Sequence, residues 1–301
     1  MVGAFLWIPV TLLASGLQVA RNTMQRGLIE SIGTIGATQV RFLYGLPFAA
    51  LFLAAIAGLS GEGWPRPGPG FVPYLVVGAV TQIVATGLML AAMRDRSFSV
   101  VTAVVKTEPV QVAVFGLIVL GDRLSAGMLA AIGVATAGVV LASLRDGRSL
   151  ARAGAGPILF GLGAGALFAL SSIAFRGAIL ALESGGPLLR ASATLVLGLA
   201  LQAGLLVAWM AAFDRAALLG SLRVWRRSLL AGLVGALGSQ FWFLGFALTS
   251  AANVRTLALV EVLIAQGVSA RLLGQGTTRR EAAGMALIVV GVAGLLLLQR
   301  G

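Results

Sequence analysis

The chain contains no cysteine and no histidine. Their absence excludes disulfides, thiol catalysis, histidine-centred triads and the commonest zinc ligands. Charge is scarce as well: 11% of residues are charged, against about 25% in an ordinary soluble domain. A globule in water would lack the polar surface to cover itself. Lysine occurs once, as Lys106, so the formal charge of +12 comes almost wholly from arginine against ten acidic residues. In a soluble protein that balance would point to nucleic acid. Here the arginines fall mainly between apolar blocks, at headgroup depth, and no basic stretch is interleaved with aromatics. Nucleic acid is not expected as a partner. Walker-type and dinucleotide-type glycine loops are also missing, and neither a cofactor nor a metal is expected.

What the chain has is apolar sequence, 58% of its residues. Lipid offers no partner to backbone groups, so a membrane chain must form helices or a closed barrel. Barrel strands would alternate polar and apolar positions over about ten residues. The blocks here run to about 20, the length a helix needs to cross the hydrocarbon. They predict an all-α integral membrane protein with ten transmembrane helices, near 4–22, 33–58, 71–92, 98–120, 125–143, 154–179, 187–212, 228–250, 251–273 and 280–298. The first block begins without a basic flank, so no cleaved signal peptide is expected. No break between blocks is long enough for a soluble domain.

The chain also resembles itself. The stretch "KTEPVQVAVFGLIVLGDRLSAG" runs alongside "LVEVLIAQGVSARLLGQGTTRR" at a shift of 153 residues, which matches Glu108 with Glu261, Gly121 with Gly274 and Gly138 with Gly291. Earlier, "QRGLIES" parallels "FRGAILA" at a shift of 150, and Arg41 parallels Arg190 at 149. The expected organisation is a five-helix repeat over 1–145 and a second over 146–301. Five is odd, so the second copy enters the membrane from the opposite side. Inverted repeats of this kind place a transport site at their interface near the midplane.

At these residues the chain resembles the drug/metabolite transporter superfamily in its ten-span EamA-type form, to which amino-acid exporters of the YddG group belong. The resemblance rests on the two five-span repeats, on "EPV…LGDRLSAG" at the end of span 4, and on "RFLYGLPFA" opening span 2. The second copy departs from the pattern: it has "VEVL" and "LGQGTT" where the family commonly shows a proline and a Glu–Arg pair.

Polar residues inside the spans mark candidate sites, because each must be satisfied by protein or cavity water. Glu108 and Glu261 recur in the repeat, as do Arg41 and Arg190, which suits Arg–Glu ion pairs that tie neighbouring spans or couple transport. Lys106 has no counterpart. Two positions on a continuous helix differ by about 200°, so Lys106 and Glu108 are expected on opposite faces, Lys106 toward a cavity with Thr102 one turn earlier. Pro109 cannot donate to the Val105 carbonyl and is expected to break the helix there. Gln82, Gln240 and Asn253 are further candidate substrate contacts. Trp7 and Trp242 offer aromatic walls.

Taken together, the expectation is a secondary transporter in a bacterial inner membrane, working as a monomer by alternating access. It would export small metabolites, amino acids first, aromatic or other apolar ones among them. A sugar-phosphate or nucleotide-sugar exchanger and an intramembrane lipid-phosphate hydrolase are the alternatives. Loops after odd-numbered spans hold fourteen arginines against six on the even side. The positive-inside rule then puts both termini outside, whereas the family resemblance would put them in the cytoplasm.

Overall fold

A computed structural model describes residues 5–92, 98–143, 155–264, 266–267 and 278–299. Among them the chain is helical, and its strand-like contact is an isolated antiparallel bridge between Pro67 and Leu182. Eight stretches are long and apolar enough to cross a membrane: Ser31–Ser60, Phe71–Met89, Ala103–Leu120, Ala126–Ser143, Ala155–Leu180, Pro187–Phe213, Ser228–Leu248 and Arg279–Leu298. Two further helical stretches, less apolar, stand where the sequence expects the remaining two of ten. Residues 7–32 are less apolar because Gln18, Arg21, Asn22 and Gln25 interrupt the run, and the helix that starts at Ala251 carries Arg255 and Glu261. We number these spans 1 to 10 in chain order.

The first boundary differs from expectation. Span 1 does not stop at Asn22; the helix Trp7–Leu43 continues until Gly33, whose φ of 71° and ψ of 176° turn the chain into span 2. The helix runs on through Gly27, and Gly33 is where it takes a positive φ, which glycine tolerates without strain. Span 2 bends again at Tyr44–Gly45, and its second part, Leu46–Ser60, carries a proline in the first turn, where no helix bond needs its missing N–H. A short helix, Arg215–Arg223, lies where the sequence suggested only a break; Asp214 caps it by accepting the Ala217 N–H at 3.0 Å.

Span 4 is in pieces. Phe98–Val105 and Glu108–Phe115 are separated by a turn at Lys106–Thr107, and a π-helical turn, Gly116–Leu120, follows. Pro109 stands in the first turn of the second piece. Span 9 tightens at the matching place without a proline. Its helix Ala251–Leu257 gives way to a 3-10 turn, Ala258–Val260, immediately before Glu261. Each glutamate therefore begins a helical segment just after an irregular turn.

Packing follows an exchange pattern. Span 1 lies along span 8, and span 3 along span 6; spans 5 and 10 lie along each other. The repeat mapping turns the first of these pairs into the second and the third into itself. One contact shows this at atomic scale. A Cβ built on Gly138 would sit 2.6 Å from the Gly284 carbonyl oxygen and 2.7 Å from the Ile288 nitrogen. One built on Gly291 would sit 2.7 Å from the Ala131 carbonyl oxygen and 2.5 Å from the Ala135 nitrogen. The 153-residue shift carries Gly138 to Gly291, Ala131 to Gly284 and Ala135 to Ile288. The two contacts are one contact, made once from each repeat, and glycine is what lets the backbones meet.

Gly138→Ala and Gly291→Ala should each lower stability by about 1–3 kcal/mol, the usual range for overpacking. Gly133, in the same helix as Gly138, has nothing within 4 Å of an added Cβ, so Gly133→Ala should melt at or slightly above the parent. Thermal unfolding in detergent measures all three. Equal melting of Gly138→Ala and Gly133→Ala would show that the close approach is not needed.

Candidate functional site

A cavity of about 240 Å³ opens between the repeats, lined from spans 1 to 4 of the first and spans 6, 8 and 9 of the second. The irregular turns of spans 4 and 9 put their charges at its wall. Lys106 is ion-paired with Glu261, and Glu108 with Arg255, whose Nε lies 3.0 Å from the Glu108 Oε1. The pairs cross: each glutamate binds a cation from the other repeat. The glutamates obey the repeat symmetry, while their cations do not, since Lys106 precedes Glu108 by two residues and Arg255 precedes Glu261 by six.

Both pairs are held by further groups. Gln18 Nε2 donates to Glu261 Oε2 at 3.1 Å, and Gln18 Oε1 accepts from Trp242 Nε1 at 3.1 Å. Arg255 Nε also donates to Ser172 Oγ at 3.0 Å, and its guanidinium lies 4.8 Å from the Trp242 ring centroid, a cation–π contact. Trp242 is thus fixed at both its N–H and its face.

Two expectations need correction. Lys106 and Glu108 do not diverge: both line the cavity, because the 200° rule holds only within one continuous helix and the helix is broken between them. Nor do Arg41 and Arg190 pair with the glutamates. Arg41 Nη1 donates to Thr86 Oγ1 at 3.0 Å, and Arg190 Nη1 donates to the Leu182 carbonyl at 3.4 Å. The spans 4 and 9 carry their own cations, so the glutamates find partners across that interface instead.

Of the remaining expected site residues, Gln82 and Trp242 reach the cavity wall. Gln82 accepts from Gln202 Nε2 at 2.9 Å. Trp7, Gln240 and Asn253 do not line it. Trp7 is packed in the apolar core, Gln240 donates to Ser192 Oγ at 2.7 Å, and Asn253 donates to Thr249 Oγ1 at 3.0 Å. The side chain of Thr102 lies outside the described residues. Sequence reading missed Arg21, Asn22 and Phe168, which do line the cavity. Arg21 was assigned to a loop because span 1 was ended too early. The spacing of Gln18, Arg21 and Gln25, three and four residues apart, was the available signal: it is one polar face of a longer helix.

The face carrying the loops after spans 2 and 6 is tied together. Gly68 N–H donates to the Ala181 carbonyl at 2.8 Å, Glu183 N–H to the Arg66 carbonyl at 2.9 Å, and Arg66 N–H to Ser184 Oγ at 2.9 Å. The Glu62 carboxylate accepts from the Gly186 N–H. Phe175 and Phe243, with ring centroids 4.8 Å apart, stand on the side of the cavity facing this seal, near the ends of spans 6 and 8. Met89 and Val101 line it toward the opposite face.

An all-helical bundle of membrane-crossing length, with crossed ion pairs and an aromatic wall around an internal cavity, has the form of a membrane carrier. Residues 5–144 match the model of the EamA-like transporter family. No curated protein matches the sequence. A solved structure described only as "Crystal structure of protein" is similar over 100% of this chain and 99% of its own, with a TM-score of 0.68 at 16% identity. That likeness concerns the fold.

Lys106 is 26% exposed at its side chain and Glu261 10%. Stranding one member of such a pair costs about 3–5 kcal/mol when burial is complete, and the partial exposure of Lys106 places this pair toward the lower end. Lys106→Met and Glu261→Leu should therefore each lower the melting temperature, while Lys106→Met/Glu261→Leu recovers part of the loss. A thermal-unfolding double-mutant cycle reads the coupling. Additive losses would mean that the two side chains do not act as a pair.

Proposed function

We infer that this protein is a secondary transporter that exports small metabolites across a bacterial inner membrane by alternating access, with amino acids as the first substrate class. The carrying observation is a cavity shared by both repeats, in which cations and aromatic faces stand side by side. A substrate carboxylate would meet the cations, and an apolar side chain would lie on Trp242, Phe243 and Phe246. The match to the EamA-like transporter family supports the transport reading; the amino-acid class rests on the cavity chemistry.

Direction follows from charge. The face opposite the seal carries the loops after odd-numbered spans, which hold the arginine excess even after the buried Arg21 is removed from the count. On the positive-inside rule that face is cytoplasmic, so the cavity loads from the cytoplasm and the sealed face is external. Gly63 and Ala216 are exposed on the sealed face and the opposite one respectively, and the chain has no cysteine of its own. An impermeant thiol reagent added to intact cells should label Gly63→Cys and spare Ala216→Cys. The reverse pattern would make the sealed face cytoplasmic and overturn the assigned direction.

Alternating access requires the seal to open. Residues facing each other across an antiparallel bridge have Cα atoms about 4.5–5.5 Å apart, inside the roughly 4.4–6.8 Å a disulfide accepts. Pro67→Cys/Leu182→Cys should therefore cross-link under oxidation, abolish counterflow of labelled amino acids in reconstituted vesicles, and regain it on reduction. Undiminished exchange by the oxidised protein would show that this face does not move.

A further inference from the structure

The charges around the cavity do not cancel. Lys106 and Arg255 are matched by Glu261 and Glu108. Arg21 and Arg41 also line the cavity, and among the described residues neither has a carboxylate partner. Arg21 donates from Nη2 to the neutral oxygens of Gln18 at 3.3 Å and Asn22 at 3.2 Å, and Arg41 donates to the Thr86 hydroxyl. The Nε of each is buried without a hydrogen-bond partner. Arg21 as a whole is only 4% exposed. Arg41 is within electrostatic reach of both Arg21 and Arg255.

Two uncompensated guanidiniums at membrane depth are costly, and intramembrane arginines that face a cavity mark a ligand path. The fold makes room for them on purpose-built faces. A Cβ on Gly235 would stand 3.3 Å from the Arg21 Cδ, so span 8 clears the space in which the Arg21 side chain lies. Guanidinium groups keep their charge and offer a planar fork suited to carboxylate or phosphate oxygens. A zwitterion brings no net charge, and would leave the excess of two in place.

We propose that Arg21 and Arg41 form an anion subsite, and that their charge moves the preference of this cavity from zwitterionic amino acids to a small organic dianion, with its apolar portion against Phe168 and Trp242. This rests on the reading of the cavity as a transport site. Two carboxylates or one phosphomonoester supply the same charge, and the two sources are separable by experiment.

The purified, full-length protein is tested for thermal stabilisation and, in vesicles, for counterflow with four probes: L-phenylalanine, L-glutamate, succinate and phenyl phosphate. Succinate or phenyl phosphate should stabilise and exchange best, and the better of the two identifies the headgroup. Arg21→Gln and Arg41→Gln should each weaken half-saturation for that dianion by roughly tenfold or more, the loss expected for a charge-assisted bond, with a smaller effect on phenylalanine. Arg41→Lys should retain part of the dianion preference, which separates loss of charge from loss of fold. Arg226→Gln, which removes an exposed arginine stacked on Trp225, should change nothing. Exchange of phenylalanine in preference to both dianions, unaffected by Arg21→Gln and Arg41→Gln, would overturn the dianion subsite and leave transport standing. Arginine-dependent stabilisation by a dianion with no counterflow of any probe would keep the subsite and remove the transport reading.

Discussion

The structure turns on the crossed ion pairs between spans 4 and 9. A charged side chain at the bilayer centre is unfavourable by roughly 2.5–3.5 kcal/mol even on the mildest scales. Four such groups here are brought to one place where they neutralise each other in pairs. That requires each span to present two charges to one region, which a straight helix cannot do with residues two apart. The turn at Lys106–Thr107 solves the geometry in span 4, and the 3-10 turn Ala258–Val260 re-aims the chain before Glu261 in span 9. The helix breaks, the cavity and the link between repeats are thus one arrangement.

Gln18 and Trp242 extend that arrangement outward. Gln18 accepts from Trp242 and donates to Glu261, and Trp242 lies against Arg255. Spans 1, 8 and 9 therefore meet through four side chains that are each needed to satisfy another. Span 6 joins through Ser172, and its glycines bring it close enough to do so. A Cβ on Gly161 would stand 2.9 Å from the Val104 Cβ, and one on Gly165 3.3 Å from the Val105 carbonyl. Buried polar networks of this sort fix a geometry because a half-satisfied member is so unfavourable. The same constraint explains why the aromatic wall cannot rotate freely away from the charges.

Much of the fold was legible in the sequence because lipid leaves few choices. Apolar blocks separated by turn residues gave most span limits to within a few residues, and the ordered matches marked which residues correspond, though not which spans pack together. Legibility failed where a helix continued through polar residues. Gln18, Arg21, Asn22 and Gln25 resemble a loop in composition, yet they lie on a helix that faces the cavity and its neighbours. It failed again where periodicity was carried across a break, as with Lys106 and Glu108. Ion-pair partners were misassigned for a related reason: matching Arg41 with Arg190 shows what recurs, not what touches. Helical spacing put Gln240 beside Phe243 on span 8 but could not say which edge of that face turns inward, and the edge carrying Gln240 turns toward Ser192.

The seal and the charge excess bear on each other. Opening the sealed face while closing the other would withdraw water from around Arg21 and Arg41, whose hydrogen-bond acceptors among the described residues are neutral oxygens. The two guanidiniums repel each other, and the penalty grows as water leaves. An anion bound between them removes most of that repulsion, so on the proposed reading the loaded carrier changes state more readily than the empty one. A ligand that binds both states equally shifts nothing; one that neutralises charge favours the state with less water. The paired charges of spans 4 and 9 cannot supply this dependence, because they are compensated whether or not substrate is present. The unpaired arginines can, and their lack of a carboxylate partner among the described residues is then the feature that separates the substrate's role from the scaffold's.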